Sequence, residues 1–160
     1  MINGIFWNIR GIAKAPNLRR LIKLVRIYHV HFVVICEPKL DVSKIELIRL
    51  RLSFDYVFVN CSSDIWVFYN NPFVCSIVGS SDQHISLDVQ NPLLPSSIIM
   101  SFVHAKCSVD ERKELWTSLL HDKPSLLPWC IGGDFNVILA AHEKRGGRPF
   151  AIAEGVDFMN

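Results

Sequence analysis

Three short apolar runs, each ended abruptly by polar residues, constrain the fold of this sequence more than any other feature. Ile-Phe-Trp precedes Asn8, Val-Val-Ile-Cys precedes Glu37, and Trp-Cys-Ile-Gly-Gly precedes Asp134. Continuous apolar runs of this length are typical of strands buried on both faces. In layered α/β folds, functional loops leave adjacent strands together, so we expect these polar residues to converge. Taken singly, an Asn or Asp at a strand end is more often a turn residue.

Helical and strand-like patterns alternate along the rest of the chain. Asn17 is a good N-cap for a first amphipathic helix and Asp41 for a second. In a third helix, Leu115, Leu119 and Leu120 are expected to form the core face. The helices are predicted at residues 17–29, 41–52 and 108–121. The strands are predicted at residues 2–7, 31–36, 56–59, 65–69, 73–78, 84–89, 97–105 and 129–131. This order predicts a layered α/β sandwich.

The composition is that expected of one soluble domain. With 160 residues, half of them apolar, the chain can bury one sizeable core. The 17 basic and 15 acidic residues give a net charge of +2, which neither requires nor excludes a polyanionic partner. Five cysteines without a Cys-x-x-Cys pair are expected to be reduced, buried thiols of an intracellular protein. No apolar run approaches the length of a membrane span.

The stretch Gly-Gly-Asp-Phe-Asn at residues 132–136 carries the sharpest chemical signal. Paired glycines allow a tight turn and close backbone approach, and Asp134 and Asn136 project to the same side if the chain stays extended. This pair suits phosphodiester hydrolysis, because the carboxylate can orient or deprotonate an attacking water and the amide can bind a phosphate oxygen. A hard cation held by Glu37 would offset the negative charge that builds up at phosphorus.

Several segments together resemble one known family. They are residues 7–11 (WNIRG), 36–39 (CEPK), 65–70 (IWVFYN), 103–116 (VHAKCSVDERKELW) and 129–149 (WCIGGDFNVILAAHEKRGGRP). In order and spacing they are similar to the endonuclease domain of non-LTR (LINE-type) retrotransposons, especially those of plant genomes. That family belongs to the endonuclease/exonuclease/phosphatase superfamily and has a DNase I-like fold.

The resemblance implies an endonuclease that cuts DNA with Mg²⁺ or Mn²⁺. Asn8 would lie next to the phosphate or the metal, and Glu37 would be the principal metal ligand. Asp134 would orient the nucleophilic water, and Asn136 would contact the phosphate. In the parent elements a reverse transcriptase is encoded downstream in the same polyprotein, and a DNA substrate implies a nuclear location. The sequence does not indicate the oligomeric state.

Two departures from the family pattern bear on activity. His104 stands where the family usually has a tyrosine that touches the scissile phosphate. The imidazole of His104 can donate a hydrogen bond, but it reaches less far than the phenol of tyrosine. A purely structural role for His104 is equally expected. The family's C-terminal third supplies another Asp/Asn pair and a Ser-Asp-His motif, which residues 1–160 lack. We therefore expect the N-terminal two-thirds of a domain, with an incomplete second sheet and little or no activity.

Other interpretations remain open at this point. Phosphatases of the same superfamily share the metal and Asp-x-Asn chemistry, although the retroelement spacing argues against them. A non-catalytic retroelement relic or a nucleic-acid-binding module is a further alternative, and the latter would need a basic surface. The candidate cations are those of the first helix and a second small group, Lys144, Arg145 and Arg148. Arg112 also falls on a family pattern, but we expect it on a helix surface and outside the catalytic core.

Overall fold

Two four-stranded sheets form the centre of the computed structural model, which describes residues 2–146 and 149–159. Arg148 lies outside the described residues. The strands are β1 (Gly4–Asn8), β2 (Phe32–Cys36), β3 (Tyr56–Val59), β4 (Ile65–Tyr69), β5 (Val74–Ser80), β6 (His84–Gln90), β7 (Ile98–His104) and β8 (Trp129–Asp134). The helices are α1 (Ala15–Tyr28), α2 (Ile45–Leu52), α3 (Val109–Asp122) and α4 (Val156–Met159), with 3-10 turns at Val42–Lys44, Ala141–Glu143 and Ile152–Glu154.

The strand order determines which strand ends can meet. The first sheet has the order β1-β2-β4-β3, and the second has the order β5-β6-β7-β8. The pairs β1–β2 and β7–β8 are parallel, whereas the other neighbours are antiparallel. The carboxyl ends of two strands therefore lie side by side in each sheet. None of the described helices is both long and apolar enough to cross a membrane.

Alternate residues of the central strands face two different apolar layers. In β2, Val33 and Ile35 pack in the cluster that α1 and α2 cover, whereas Phe32 and Val34 face the second sheet. All five residues of β2 are buried, which explains its unbroken apolar run. On the other side of the second sheet, α3 packs through Leu115. The result is the layered α/β sandwich predicted from the sequence, in which each large buried aliphatic side chain contributes about 1.5–3 kcal/mol.

The start of α1 differs from the prediction. The helix begins at Ala15, so Asn17 is not its N-cap. Pro16 lies in the first turn, where its fixed φ favours the helix and its missing N–H breaks no helical hydrogen bond. The Asn17 side chain instead donates to the carbonyls of Ile9 at 3.1 Å and Gly11 at 2.8 Å. It thereby ties the loop after β1 to the helix.

Three expectations of burial are wrong. Leu120 is 68% exposed, because it lies outside the stripe of α3 that faces the sheet. The strand β8 is only partly buried, with Ile131 39% exposed, because it is an edge strand of the second sheet. All five cysteines are free thiols, as expected, but three of them are exposed rather than buried. The exposed ones are Cys61, Cys107 and Cys130.

Candidate active site

Three strand ends bring predicted site residues together. Asn8 ends β1, Glu37 follows β2, and Asp134 ends β8. The strands β1 and β2 are parallel neighbours, and β8 of the second sheet packs against β1. The side-chain nitrogen of Asn8 donates to Glu37 Oε1 at 3.1 Å and to Asp134 Oδ2 at 3.2 Å. We name these three residues the carboxylate–amide cluster.

His104 lies beside this cluster. It is the last residue of β7 and is paired with Asp134 in the parallel ladder with β8. Its Nε2 is 3.5 Å from Glu37 Oε1, and its side chain is 17% exposed. The imidazole therefore lies at the strand ends, where it can reach both the cluster and solvent.

The Glu37 carboxyl group is stabilised in its charged form. Desolvation raises its pKa, but hydrogen bonds from Asn8 and Lys39 and the positive charges of Lys39 and His104 outweigh that effect. The pKa of Glu37 is therefore lowered from its ordinary value of 4.5. The Lys39 Nζ atom lies 3.3 Å from Glu37 Oε2, so each carboxylate oxygen has a partner. Glu37 is an anion at neutral pH.

One buried atom of the cluster lacks a hydrogen-bond partner among the described residues, the side-chain oxygen of Asn8. The two carboxylates fix the orientation of this amide, because an oxygen in place of its nitrogen would face two anions. No group of three or more His, Cys, Asp or Glu in the described part of the chain is arranged to hold a metal. The donor set nevertheless fits Mg²⁺, which takes oxygen ligands, commonly uses only one or two protein carboxylates, and keeps several waters.

Through its side chain, Asn136 does not contact the carboxylate–amide cluster in any described hydrogen bond. Its φ of 49° turns the chain after β8, so the extended geometry that would place it beside Asp134 is absent at this residue. Its side-chain nitrogen donates to the Ala105 carbonyl at 2.6 Å, and its backbone N–H donates to Asp134 Oδ1 at 3.0 Å. These contacts hold Asp134 in place, whereas the predicted contact of Asn136 with phosphate stays a prediction.

One of the paired glycines is required by the approach of β8 to β7. Gly133 has a φ of 151°, and a Cβ at this position would overlap the carbonyl oxygen of Val103. Gly132 has no neighbouring atom within 4 Å of an added Cβ. The close backbone approach predicted for the glycine pair therefore belongs to Gly133. It sets Asp134 directly against the end of β7.

Arg112 is buried, and the expectation of a helix-surface role is wrong. Its exposure is 1%. It lies three and seven positions before Leu115 and Leu119, on the stripe of α3 that faces the sheet. The periodicity carried this signal, but buried charges are rare enough that a charged residue is usually assigned to the surface. Its guanidinium donates to the Cys107 carbonyl at 2.9 Å.

Solved structures with the same architecture are found at low sequence identity. D. rerio TDP2 complexed with a single-strand DNA product has a TM-score of 0.66 at 15% identity, covering 86% of this chain and 61% of that one. The Bacteroides thetaiotaomicron mannosyl-6-phosphatase Bt3783 has a TM-score of 0.61 at 13% identity, covering 86% and 66%. The endonuclease domain of TRAS1, a telomere-specific non-LTR retrotransposon, has a TM-score of 0.58 at 9% identity, covering 84% and 59%.

At these identities, the three matched structures share their fold with this chain, and the match says nothing more. The chain spans less than two thirds of the length of each of these structures. No protein-family model matches the sequence, and no curated protein matches it by sequence. The two mixed sheets, the helices on both outer faces and the matched structures show that this chain has a DNase I-like fold.

Proposed function

We propose that this chain is a metal-dependent phosphodiester hydrolase of retroelement origin that cuts DNA. The observation that carries the proposal is the pair of hydrogen bonds from Asn8 to Glu37 and Asp134. Polar residues that merely cap turns bond within their own loops. These contacts instead join positions 29 and 126 residues apart in the sequence. An arrangement of this kind supports a shared chemical role at the strand ends.

Each residue of the site is assigned one role. Glu37 and the side-chain oxygen of Asn8 would hold Mg²⁺ or Mn²⁺, and the bound ion would supply positive charge against that of the reacting phosphate. Asp134 would orient a water molecule and accept its proton. His104 would donate a hydrogen bond to a phosphate oxygen, and Asn136 would contact the phosphate after a rearrangement of its side chain.

The charge distribution favours a polyanion such as DNA over a small phosphate ester. Residues 1–36 contain six lysines and arginines and no aspartate or glutamate. This segment comprises β1, the loop after it, α1 and β2, so it includes one side of the proposed site. Phosphate contacts by basic side chains supply much of the affinity for nucleic acid. A DNA substrate would in turn imply a nuclear location in a eukaryotic cell.

The 160 residues alone are expected to turn over slowly. The family resemblance implies a further Asp/Asn pair and a Ser-Asp-His motif downstream of the segments found here. Loss of one acid–base group commonly lowers a rate by about 10² to 10⁴-fold. We therefore propose weak or no nicking by this polypeptide and a higher rate when those motifs are supplied.

The test is nicking of a supercoiled plasmid by the purified chain in the presence of Mg²⁺ or Mn²⁺. Slow relaxation is expected, and it should disappear in Asp134→Asn, in Glu37→Gln and with a chelator. Asp110→Asn is the matched control, because this exposed carboxylate pairs with Lys113 on the surface of α3. A measurable nicking rate that is equal in wild type and Asp134→Asn would contradict the proposal.

A parallel assay separates the alternatives. Release of phosphate from a sugar 6-phosphate without nicking would favour a phosphatase. DNA binding that survives both active-site substitutions, without hydrolysis of either substrate, would favour a nucleic-acid-binding relic.

A further inference from the structure

Arg112 connects α3 to the loop that follows β8. Its guanidinium donates to the carbonyls of Cys107 at 2.9 Å and Lys106 at 3.4 Å, both in the connection between β7 and α3. It also donates to the carbonyl of Asn136 at 3.4 Å. One buried cation therefore bridges the connection between β7 and α3 and the loop after β8, beside the pairing of these two strands.

The bridged loop carries Asp134. The Asn136 backbone N–H donates to Asp134 Oδ1 at 3.0 Å, and the Asp134 carbonyl accepts the N–H of Ala105 at 2.8 Å. The Asn136 side chain closes the arrangement by donating to the Ala105 carbonyl at 2.6 Å. Displacement of the Asn136 backbone would therefore break the hydrogen bond to Asp134 Oδ1 and shift the Oδ2 atom of the same carboxylate.

A guanidinium suits this task better than other side chains. Its Nη1 atom, held in the fixed plane of the guanidinium, makes all three of these carbonyl contacts, of which the contact with the Cys107 carbonyl is the shortest. Burial of a positive charge is unfavourable unless such partners are present. A residue needed only to fill the space between α3 and the sheet would be apolar, as Leu115 and Leu119 are on the same stripe.

We propose that Arg112 is a positioning residue, which fixes the Asp134 carboxylate for the reaction by holding the carbonyl of Asn136. The assignment rests on the proposed function of Asp134. It makes a prediction that a purely structural role does not make, namely that loss of Arg112 loosens Asp134 more than it loosens the rest of the fold.

Two amide protons report on Asp134 directly, because the N–H groups of Ala105 and Asn136 both donate to that residue. Hydrogen exchange at these amides, measured by NMR and referenced to the amides of β2, separates local from global loosening. In Arg112→Gln we expect exchange at Ala105 and Asn136 to accelerate at least about tenfold more than in β2. Arg112→Lys, which retains the charge and N–H donors but lacks the rigid planar group, should accelerate it less.

Arg49 provides a matched control. Its guanidinium also donates to two backbone carbonyls, those of Phe54 at 2.7 Å and Asp55 at 3.1 Å, at the end of α2. Arg49→Gln should leave exchange at Ala105 and Asn136 unchanged relative to β2. Mg²⁺ affinity is the second readout. Asp134 accepts a hydrogen bond from Asn8, whose side-chain oxygen is a proposed metal ligand, so we expect Arg112→Gln to weaken Mg²⁺ binding about tenfold, in the range typical of residues that orient metal ligands.

Hydrogen exchange and Mg²⁺ binding test separate claims. If wild type shows no Mg²⁺ binding that depends on Glu37, the proposed function fails, while the exchange data still decide whether Arg112 fixes Asp134. If Arg112→Gln changes exchange at Ala105, Asn136 and β2 by the same factor, Arg112 acts only on global stability and the inference is overturned. Unchanged exchange in that variant overturns it equally.

Discussion

Among single residues, Asn8 holds two negatively charged carboxylates close together through one neutral amide. Its one NH₂ group donates to both Glu37 and Asp134. A carboxylate at this position would add a third negative charge, and an apolar side chain would leave both oxygens without this donor. An amide also leaves its own oxygen available for a cation. The residue type therefore follows from the two neighbours that the fold brings to it.

Replacement of Asn8 by alanine is expected to raise the pKa of Glu37. The hydrogen bond from Asn8 helps to lower this pKa from its ordinary value of 4.5. A lowered folded-state pKa means that the interaction stabilises the protein above the unfolded-state pKa, and that this stability is lost as the pH falls through the lower, folded value. In Asn8→Ala this acid-dependent loss should become smaller. NMR titration of the Glu37 carboxyl carbon measures the shift directly.

The control is Asn3→Ala, since the Asn3 side chain bonds the Tyr28 carbonyl and is remote in the hydrogen-bond network from Glu37. It should leave the Glu37 titration unchanged. A Glu37 pKa that is the same in Asn8→Ala and wild type would show that Lys39 and His104 alone account for the lowered value.

The convergence of Asn8, Glu37 and Asp134 was predictable from the sequence, because the position of each follows from the strand it ends. Asn8, Glu37 and Asp134 each follow an apolar run, and parallel pairing brings the end of β1 beside that of β2. Arg112 was misassigned because its partners are backbone carbonyls, one of them 24 positions away, and residue types do not encode such contacts. The turn at Asn136 was missed because its left-handed φ is a property of the folded loop.

At the scale of elements, a buried polar pair attaches the end of α3 to the second sheet. His84 Nε2 in β6 lies 2.8 Å from Asp122 Oδ2, and both side chains are almost fully buried. Ser81 Oγ lies 2.7 Å from His84 Nδ1, so each ring nitrogen has a partner. A Cβ at Gly79 would overlap the Asp122 carboxylate, so the close approach of β5 to Asp122 requires glycine at this position.

Removal of His84 should destabilise the protein strongly. His84→Ala removes one hydrogen-bond partner of the buried Asp122 carboxylate, and leaving a buried polar group short of a partner costs about 1–3 kcal/mol, or more when that group is charged. Urea denaturation at neutral pH measures the change in the free energy of unfolding. Adding Asp122→Asn to His84→Ala should recover part of the loss, because the unpaired charge is then absent.

The pH dependence provides an independent check. Burial raises the pKa of Asp122, but hydrogen bonds from Ser86, His84 and His121 and the charge of His84 lower it overall from its ordinary 3.8. The pair therefore stabilises the fold above the unfolded-state pKa, and this contribution is lost as the pH falls through the lowered value. The difference between wild type and His84→Ala should shrink in acid. A difference that stays constant with pH would contradict this role of the carboxylate.

At the scale of the whole molecule, the layered sandwich was predictable because hydrophobic periodicity and element order determine which faces must be buried. What the sequence did not reveal was which strands lie at the edges. The strand β8 has an apolar sequence like β2, but it pairs only with β7 among the described strands. Ile131 and the Leu120 side chain beside it are consequently exposed. Edge position depends on pairing between distant segments, which apolar patterning alone cannot assign.

This edge is expected to make the 160-residue polypeptide self-associate. Beside β8, a cavity of about 430 Å³ is lined by apolar side chains. They are Trp116, Leu119, Leu120, Trp129, Ile131, Phe135 and Phe158. An exposed apolar patch next to an open strand edge is a recognised cause of association. Light scattering should give a mass that rises with concentration, and Leu120→Lys should reduce that rise.

Leu93→Lys is the matched control, because Leu93 is 89% exposed but lies in the connection between β6 and β7, away from this cavity. It should leave the association unchanged. A monomeric mass at all concentrations, or equal effects of the two substitutions, would show that the edge of β8 is not the contact surface.

Calorimetric titration of the purified chain with Mg²⁺ tests whether the carboxylate–amide cluster binds a metal. Saturable binding is expected that is abolished in Glu37→Gln and retained in Glu46→Gln, a change to an exposed glutamate that pairs with Arg49. Binding that is absent in wild type, or equally strong in Glu37→Gln, would contradict the assignment of the carboxylate–amide cluster as a metal-dependent hydrolytic site.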